Sequence, residues 1–267
     1  MTVGPMHVAH WGRTGPRVIL VHGGVQGSEA SGVINFRAQE PLGQQGWQLV
    51  VPDRPGHGRS PDPGRPDDAE ADGILVADLL GDGAHLVGHS FGACVALYAA
   101  AKRPQAVRSL TFIEPALLNF AASDPRVRWQ LLKMLTAALF SVSATSRVRR
   151  IMKVMGIPPE IYSHADDAEL KRLGRNLRKV RIPSKATFQR ELDAIEEAGI
   201  PLLVVTGGWN SGFEATGDIV AAAANGRRAV VKSGHHFPQW LGGEFNPILV
   251  AFMEESAAKK PQPPALP

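Results

Sequence analysis

Ser90 stands between glycines in Gly88-His89-Ser90-Phe91-Gly92, and a serine framed in this way is a candidate nucleophile. A hydroxyl attacks well only when a base removes its proton, and neutral imidazole suits that task near neutral pH. Nine histidines are present, and His235 and His236 lie side by side near the end of the chain. The imidazolium formed in such a step needs a carboxylate beside it. The pentapeptide alone is weak support, since about one chain of this length in ten carries such a match by chance. No Cys/His cluster has metal-ligand spacing, so neither metal nor cofactor is expected.

The elements around Ser90 raise the value of the match. His85-Leu86-Val87 reads as a strand end, and Phe91 to Lys102, rich in alanine, as a strong helix former. Ser90 then sits on a sharp strand-to-helix turn, where Gly88 and Gly92 leave room and free amides at the helix start favour negative charge. The competing reading is an ordinary serine N-cap. Further apolar runs recur at Val18 to Val21, Trp47 to Val51, Leu110 to Ile113, Leu202 to Val205 and Ala229 to Val231, with Met6 to Trp11 as a possible edge strand. Near-continuous apolarity predicts strands covered on both faces. Helical patterns at Ser31 to Gln45, Asp68 to Leu80, Phe91 to Lys102 and Phe213 to Ala224 alternate with them, which predicts an α/β, doubly wound, mostly parallel sheet.

The alternation breaks between Pro115 and Gly199. There Trp129, Leu132, Leu135 and Leu139 share one helical spacing, and Leu170, Leu173, Leu177 and Val180 another. A helical cap over the carboxyl edge of the sheet is expected at 115–199, with the core formed by 1–114 and 200–258. The proline-rich tail, 259–267, is expected to be disordered. The 29 basic and 25 acidic residues nearly balance, and no basic-aromatic stripe accompanies the surplus, so no nucleic-acid partner is expected. No apolar run reaches the roughly 20 residues of a membrane span, and no signal-peptide pattern opens the chain. One cysteine, Cys94, excludes an internal disulfide. A cytoplasmic protein, monomer or homodimer, acting on a small molecule is the expectation.

Four motifs together resemble the α/β-hydrolase superfamily over nearly the whole chain. They are His22-Gly23-Gly24 after the first parallel strand, Asp53-Arg54-Pro55-Gly56-His57-Gly58-Arg59-Ser60, the elbow at Ser90, and Gly234-His235-His236-Phe237-Pro238. The resemblance implies Ser90 as nucleophile, with the amides of Gly24 and Phe91 as the oxyanion hole. It favours His236 over His235 as base, because Phe237-Pro238 follows directly. His22, Asp53 and His57 read as loop-shaping hydrogen bonders.

The acid departs from the family pattern. Its usual turn reads Gly207-Gly208-Trp209-Asn210 here, and asparagine cannot stabilise an imidazolium. Glu114 is the preferred substitute as the acid: it ends the strand expected beside the nucleophile strand, and neighbouring parallel strands lie about 4.8 Å apart. Zearalenone lactonases and certain haloalkane dehalogenases resemble this placement. Glu214 and Asp218 compete, or read as first-turn charges of the next helix. The implied activity is cleavage of an ester, lactone or thioester of a small to medium apolar substrate. Trp129, Met134, Phe188 and Trp209 are expected to line its pocket. A C–C bond hydrolase, a cofactor-free perhydrolase and a catalytically weak small-molecule receptor are the rivals, the last kept open by Asn210.

Overall fold

Seven strands form one sheet in the order β1-β3-β2-β4-β5-β6-β7. A computed structural model of the chain describes residues 6–27 and 31–259; the proline-rich end lies outside the described residues from 260 onward. The strands are β1 (Val8–Trp11), β2 (Arg17–Val21), β3 (Gln48–Pro52), β4 (Ala84–His89), β5 (Val107–Ile113), β6 (Leu202–Thr206) and β7 (Arg227–Val230). Among the described residues only β1 runs antiparallel to its neighbour, as an edge strand. The helices are α1 (Gly32–Asn35), α2 (Ala69–Leu79), α3 (Phe91–Lys102), α4 (Pro125–Leu139), α5 (Ala144–Val154), α6 (Asp167–Asn176), α7 (Lys185–Glu197), α8 (Ser211–Ala223) and α9 (Gly242–Lys259).

The apolar runs are continuous because both sheet faces are covered. Ile19, Val21, Leu86, Leu110, Phe112 and Val204 point to one side, where α2, α3 and α8 pack. Val18, Leu20, Val87, Ile113, Leu203 and Val205 point to the other, against Phe36, Trp47 and α9. Successive side chains alternate between faces, so each strand feeds two cores. The end strand β7 differs, with Arg227 and Val230 exposed.

Four local expectations change. The helix expected over Ser31 to Gln45 is a short α1 followed by a 3-10 run at Arg37–Gln44, which contains Pro41; proline lacks the donor that a continuing α-helix needs. Helix α9 is absent from the expected elements, because Gly242, Gly243 and Pro247 interrupt its start, although Phe245, Leu249, Phe252 and Met253 carry the helical spacing into the core. Trp129, Leu132, Leu135 and Leu139 form one stripe of α4, but it faces outward, with Trp129 58% and Leu139 67% exposed. The inward side of α4 carries Val127, Gln130 and Ala137 instead. Finally, α7 lies within the residues expected as a cap yet joins the main core through Phe188, Leu192 and Ile195.

Register positions the site. Residue His89 pairs with Ile113, and Ile113 with Val205. The ladder continues for one residue, Ser90 N–H donating to Ile113 O at 2.9 Å and Glu114 N–H to Val205 O at 2.9 Å. Ser90 and Glu114 therefore leave adjacent strands at the same edge.

Candidate active site

Ser90 occupies a strained backbone, φ 55° and ψ −120°, between β4 and α3. Such a conformation is costly for a residue with a Cβ and persists only where its surroundings impose it. A Cβ on Gly92 would lie 2.2 Å from Val21 O, and one on Gly88 would lie 2.4 Å from Gly92 O. The tight turn thus excludes any larger residue at either position. Ser90 is the N-cap of α3 but its hydroxyl makes no capping bond. It lies instead 2.9 Å from His236 Nε2.

Nδ1 of His236 lies 3.0 Å from Glu114 Oε2. Glu114 is fully buried and also has a left-handed backbone, φ 46°, before Pro115. Its Oε1 accepts from Gly207 N–H at 2.5 Å, and its Oε2 also accepts from Trp209 Nε1–H at 3.1 Å. An acceptor facing Nδ1 holds the proton there and leaves Nε2 to face the Ser90 hydroxyl. Thus Ser90, His236 and Glu114 meet, while His235 turns elsewhere, accepting from Phe237 N–H through Nδ1 at 3.1 Å.

The competing carboxylates are engaged with other groups. Glu214 accepts from Thr206 Oγ1 at 2.7 Å and Gly208 N–H at 2.9 Å, and pairs with Arg228 at 3.1 Å. Asp218 pairs with the same arginine at 2.9 Å. Asn210, in the place of the usual acid, is the N-cap of α8 and accepts from Gly212 and Phe213 N–H. An Asn there serves the helix start as well as an Asp would.

Behind Ser90, buried polar groups shape the loops. His22 Nδ1–H donates to Gly23 O at 2.7 Å, and Arg54 N–H donates to His22 Nε2 at 2.9 Å. Because a trans peptide directs its C=O and N–H oppositely, holding Gly23 O turns Gly24 N–H the other way. Arg54 is fully buried. It donates to Asp67 and Asp72 at 2.8 Å each, to His22 O, to Gly24 O and to His57 Nε2. Asp53 accepts from Gly32 and Arg59 N–H. Burial first, then the neighbouring His57 and Arg54, holds the His22 pKa well below the ordinary imidazole value. Burial and Arg54 do the same for His57.

Two groups escape sequence reasoning. His89 accepts from Asn35 Nδ2–H at 3.0 Å and donates from Nε2 to His236 O at 2.8 Å, tying the end of β4 to the loop that carries His236. Burial, then the neighbouring His236, keeps its pKa well below the ordinary value. Trp209 is expected in the pocket, whereas its indole N–H serves Glu114. No local pattern signals either role, because the partners, Asn35, His236 and Glu114, come from segments far apart in the chain. Cys94 is buried, and burial pushes its thiol up to about 12, as suits a packed side chain.

A cavity of about 410 Å³ opens at Ser90. Gly24, Ser90, Phe91 and His236 line it, and Met134, Ile151, Met152, Met155, Leu173 and Val180 are among its apolar walls. Of the four residues expected there, Met134 alone is a wall. Phe188 is in the main core, Trp129 is on the surface and Trp209 is behind Glu114. The expected aromatic lining is in fact aliphatic and methionine-rich, because helix faces cannot be oriented from spacing alone. Among the described residues no helix is long and apolar enough to cross a membrane.

Residues 16–154 match the family described as alpha/beta hydrolase fold. Lipase LipV of Mycobacterium tuberculosis is 32% identical over 195 residues, which span 70% of this chain and 71% of that protein. A pimeloyl-[acyl-carrier protein] methyl ester esterase of Neisseria meningitidis is 31% identical over 176 residues, 61% of this chain and 64% of that protein. Among solved structures, the N-acyl homoserine lactonase AidH complexed with N-butanoyl homoserine superposes with a TM-score of 0.65 at 20% identity. That match covers 97% of this chain and 96% of that one, and is a likeness of fold.

Proposed function

This chain belongs to the α/β-hydrolase family, and from that premise we propose that it is a serine hydrolase of esters, lactones or thioesters with an apolar acyl part. The carrying observation is the contact series Ser90–His236–Glu114, at 2.9 and 3.0 Å, on the floor of an apolar cavity. In this reading His236 takes the Ser90 proton as Oγ attacks the carbonyl carbon. Glu114 stabilises the resulting imidazolium, and the amides of Gly24 and Phe91 hold the oxyanion. The leaving atom takes the proton from His236, and water, activated by the same imidazole, releases the acid.

Several features support these roles. The Ser90 hydroxyl is uncommitted to its own helix. The acid is oriented by three donors, and Gly24 and Phe91 both border the cavity. The aliphatic walls suit an alkyl chain rather than a charged acyl group. Helices α4, α5 and α6 and the segments that join and follow them, within 134–182, supply most of them, in the manner of a cap. A receptor without turnover draws its support from Asn210; with a carboxylate beside His236, no specific feature favours it.

The test is labelling with a fluorophosphonate followed by mass mapping. An adduct on the Ser90 peptide, absent in Ser90→Ala, is expected. Folded protein that gives no adduct and no p-nitrophenyl ester turnover overturns the reading.

A further inference from the structure

Beside the apolar cavity runs a second hollow of a different character. It is a groove of about 720 Å³, lined by Arg37, Arg149, Lys153, Glu160, His235 and Trp240 among others. Three permanent cations thus face one carboxylate. We propose that this groove binds a carboxylate or phosphate carried on the leaving group of the substrate. The proposal deepens the serine-hydrolase reading and rests on it.

The cations are arranged as a binding surface would require. Arg149 and Lys153 are four residues apart on α5 and so share a face, where like charges repel. Their helix neighbours are engaged: Arg147 donates to Ala138 O and Gly174 O, and Arg150 to Phe140 O. The side chains of Arg149 and Lys153 make no hydrogen bond or ion pair among the described residues; the nearby Asp167 is paired with Lys171 and bonded to Thr145, with Arg149 acting on it only as a further neighbouring charge. Across the groove the Arg37 guanidinium lies over the Trp240 ring, 4.1 Å from its centroid. That ring is itself pinned, its Nε1–H donating to Asn35 O at 3.0 Å. Stacking leaves the in-plane N–H groups of an arginine available for an anion. His235, also on the groove, accepts through Nδ1, which makes its Nε2–H the donor of the ring.

Position argues for the leaving group rather than the acyl chain. Ile157 lines both the groove and the apolar cavity, so the two volumes meet at its side chain. His236 N–H donates to Gly156 O at 2.9 Å, which fastens the base loop to this junction. His236 delivers the proton to the departing atom, and His235, next to it in the chain, borders the groove. An anion among the aliphatic cavity walls would lose its hydration without compensation, whereas the groove offers water and unpaired cations. Hydrolysis then converts R–CO–X–R′ and water to R–COOH and H–X–R′. One C–X bond breaks, one C–O bond forms, and the anion stays with R′.

The experiment compares 4-nitrophenyl hexanoate with 3-carboxy-4-nitrophenyl hexanoate, which differ by one carboxylate on the leaving group. Intrinsic reactivity cancels when the ratio of their kcat/KM values is compared between proteins. In Arg149→Gln/Lys153→Gln the ratio, carboxylated over neutral, is expected to fall about fivefold to tenfold. Raising salt to about 1 M, where the Debye length is about 3 Å, is expected to lower the wild-type ratio likewise. Arg13→Gln/Lys102→Gln, which removes the same charge near the amino ends of the parallel strands, is expected to keep the ratio. Inhibition of the neutral reaction by inorganic phosphate and by acetate distinguishes the two head groups, the stronger inhibitor naming the ligand. A ratio equal in wild type and the groove variant overturns the proposal. Calorimetric titration of Ser90→Ala protein with 3-carboxy-4-nitrophenol separates the two readings. Binding weakened by the groove substitutions, with no ester turned over by any variant, leaves the groove standing and sinks the serine mechanism. Binding indifferent to those substitutions sinks the groove.

Discussion

Glu114→Gln removes one charge and replaces one oxygen by NH₂, and the donors around Glu114 set the consequences. Three N–H groups converge on its two oxygens: Gly207 on Oε1, and Trp209 with His236 on Oε2. If the amide oxygen takes the Oε2 place, the new NH₂ meets the Gly207 N–H at a site that offers only donors. If it takes the other place, NH₂ faces two ring N–H groups, and His236 must move its proton to Nε2. That second arrangement removes the base from Ser90. The first keeps the tautomer but leaves the imidazolium without a counter-charge. Either way kcat is expected to fall about 10³- to 10⁴-fold, which is about 4 to 5.5 kcal/mol of transition-state stabilisation. KM should change little, since Glu114 does not border the cavity. A buried donor left without an acceptor also costs about 1–3 kcal/mol of stability. Initial rates on p-nitrophenyl hexanoate, with Ser90→Ala as baseline, measure the first effect, and urea unfolding the second. Folded Glu114→Gln protein that keeps a tenth or more of wild-type kcat refutes the assignment. Glu214→Gln is the control, expected within about threefold of wild type because it weakens contacts with Thr206, Gly208 and Arg228 and none with His236.

Arg54→Met should be among the most damaging substitutions away from the contact series. It leaves buried Asp67 with the Gln26 N–H but no guanidinium and buried Asp72 with Arg65 alone, for a loss of about 3–5 kcal/mol in urea unfolding; a loss under about 1 kcal/mol contradicts the network. Trp209→Phe keeps the ring but deletes the donor to Glu114, so a kcat drop of about threefold to tenfold is expected, worth about 0.7–1.4 kcal/mol. Unchanged kcat would mean that the indole only packs. Acid should unfold the protein early. His22, His57 and His89 are held below their ordinary pKa, so the unfolded chain binds protons first as pH falls below about 6.5. Their contribution is present in full above that value and is lost on the way down to the folded pKa values, by up to about 1.4 kcal/mol per pH unit for each histidine. Urea midpoints that stay flat from pH 7.5 to 5.5 would refute this.

Much of this molecule is legible in one dimension. Short apolar runs between turn residues yield strands wherever they are buried on both faces, and that pattern needs no knowledge of neighbours. The elbow is equally local, since glycines at 88 and 92 flank a strand end and a helix start. Even the adjacency of Ser90 and Glu114 follows from two consecutive strands joined by a helix, a connection with one favoured hand. Helix faces are another matter. The stripe from Trp129 to Leu139 has the spacing of a buried face, yet the packing of α4 leaves it largely in solvent and borders the cavity with Met134, Ala138 and the edge of Leu135.

What tertiary structure alone decided is the allocation of partners. Glu114, Glu214 and Asp218 are chemically equivalent in the sequence; a single arginine, Arg228, claims the latter two, and three N–H groups claim the first. Asn210 reads as a missing acid and is a helix cap. The sequence by itself determined the strands, the strained serine and the histidine loop, because these depend on residues next to one another. It put Glu114 first for the third member from strand order, and had nothing in the way of partners to separate it from Glu214 and Asp218. Hydrogen-bond and charge partners depend on which loops converge at the sheet edge, and convergence is a property of the folded chain.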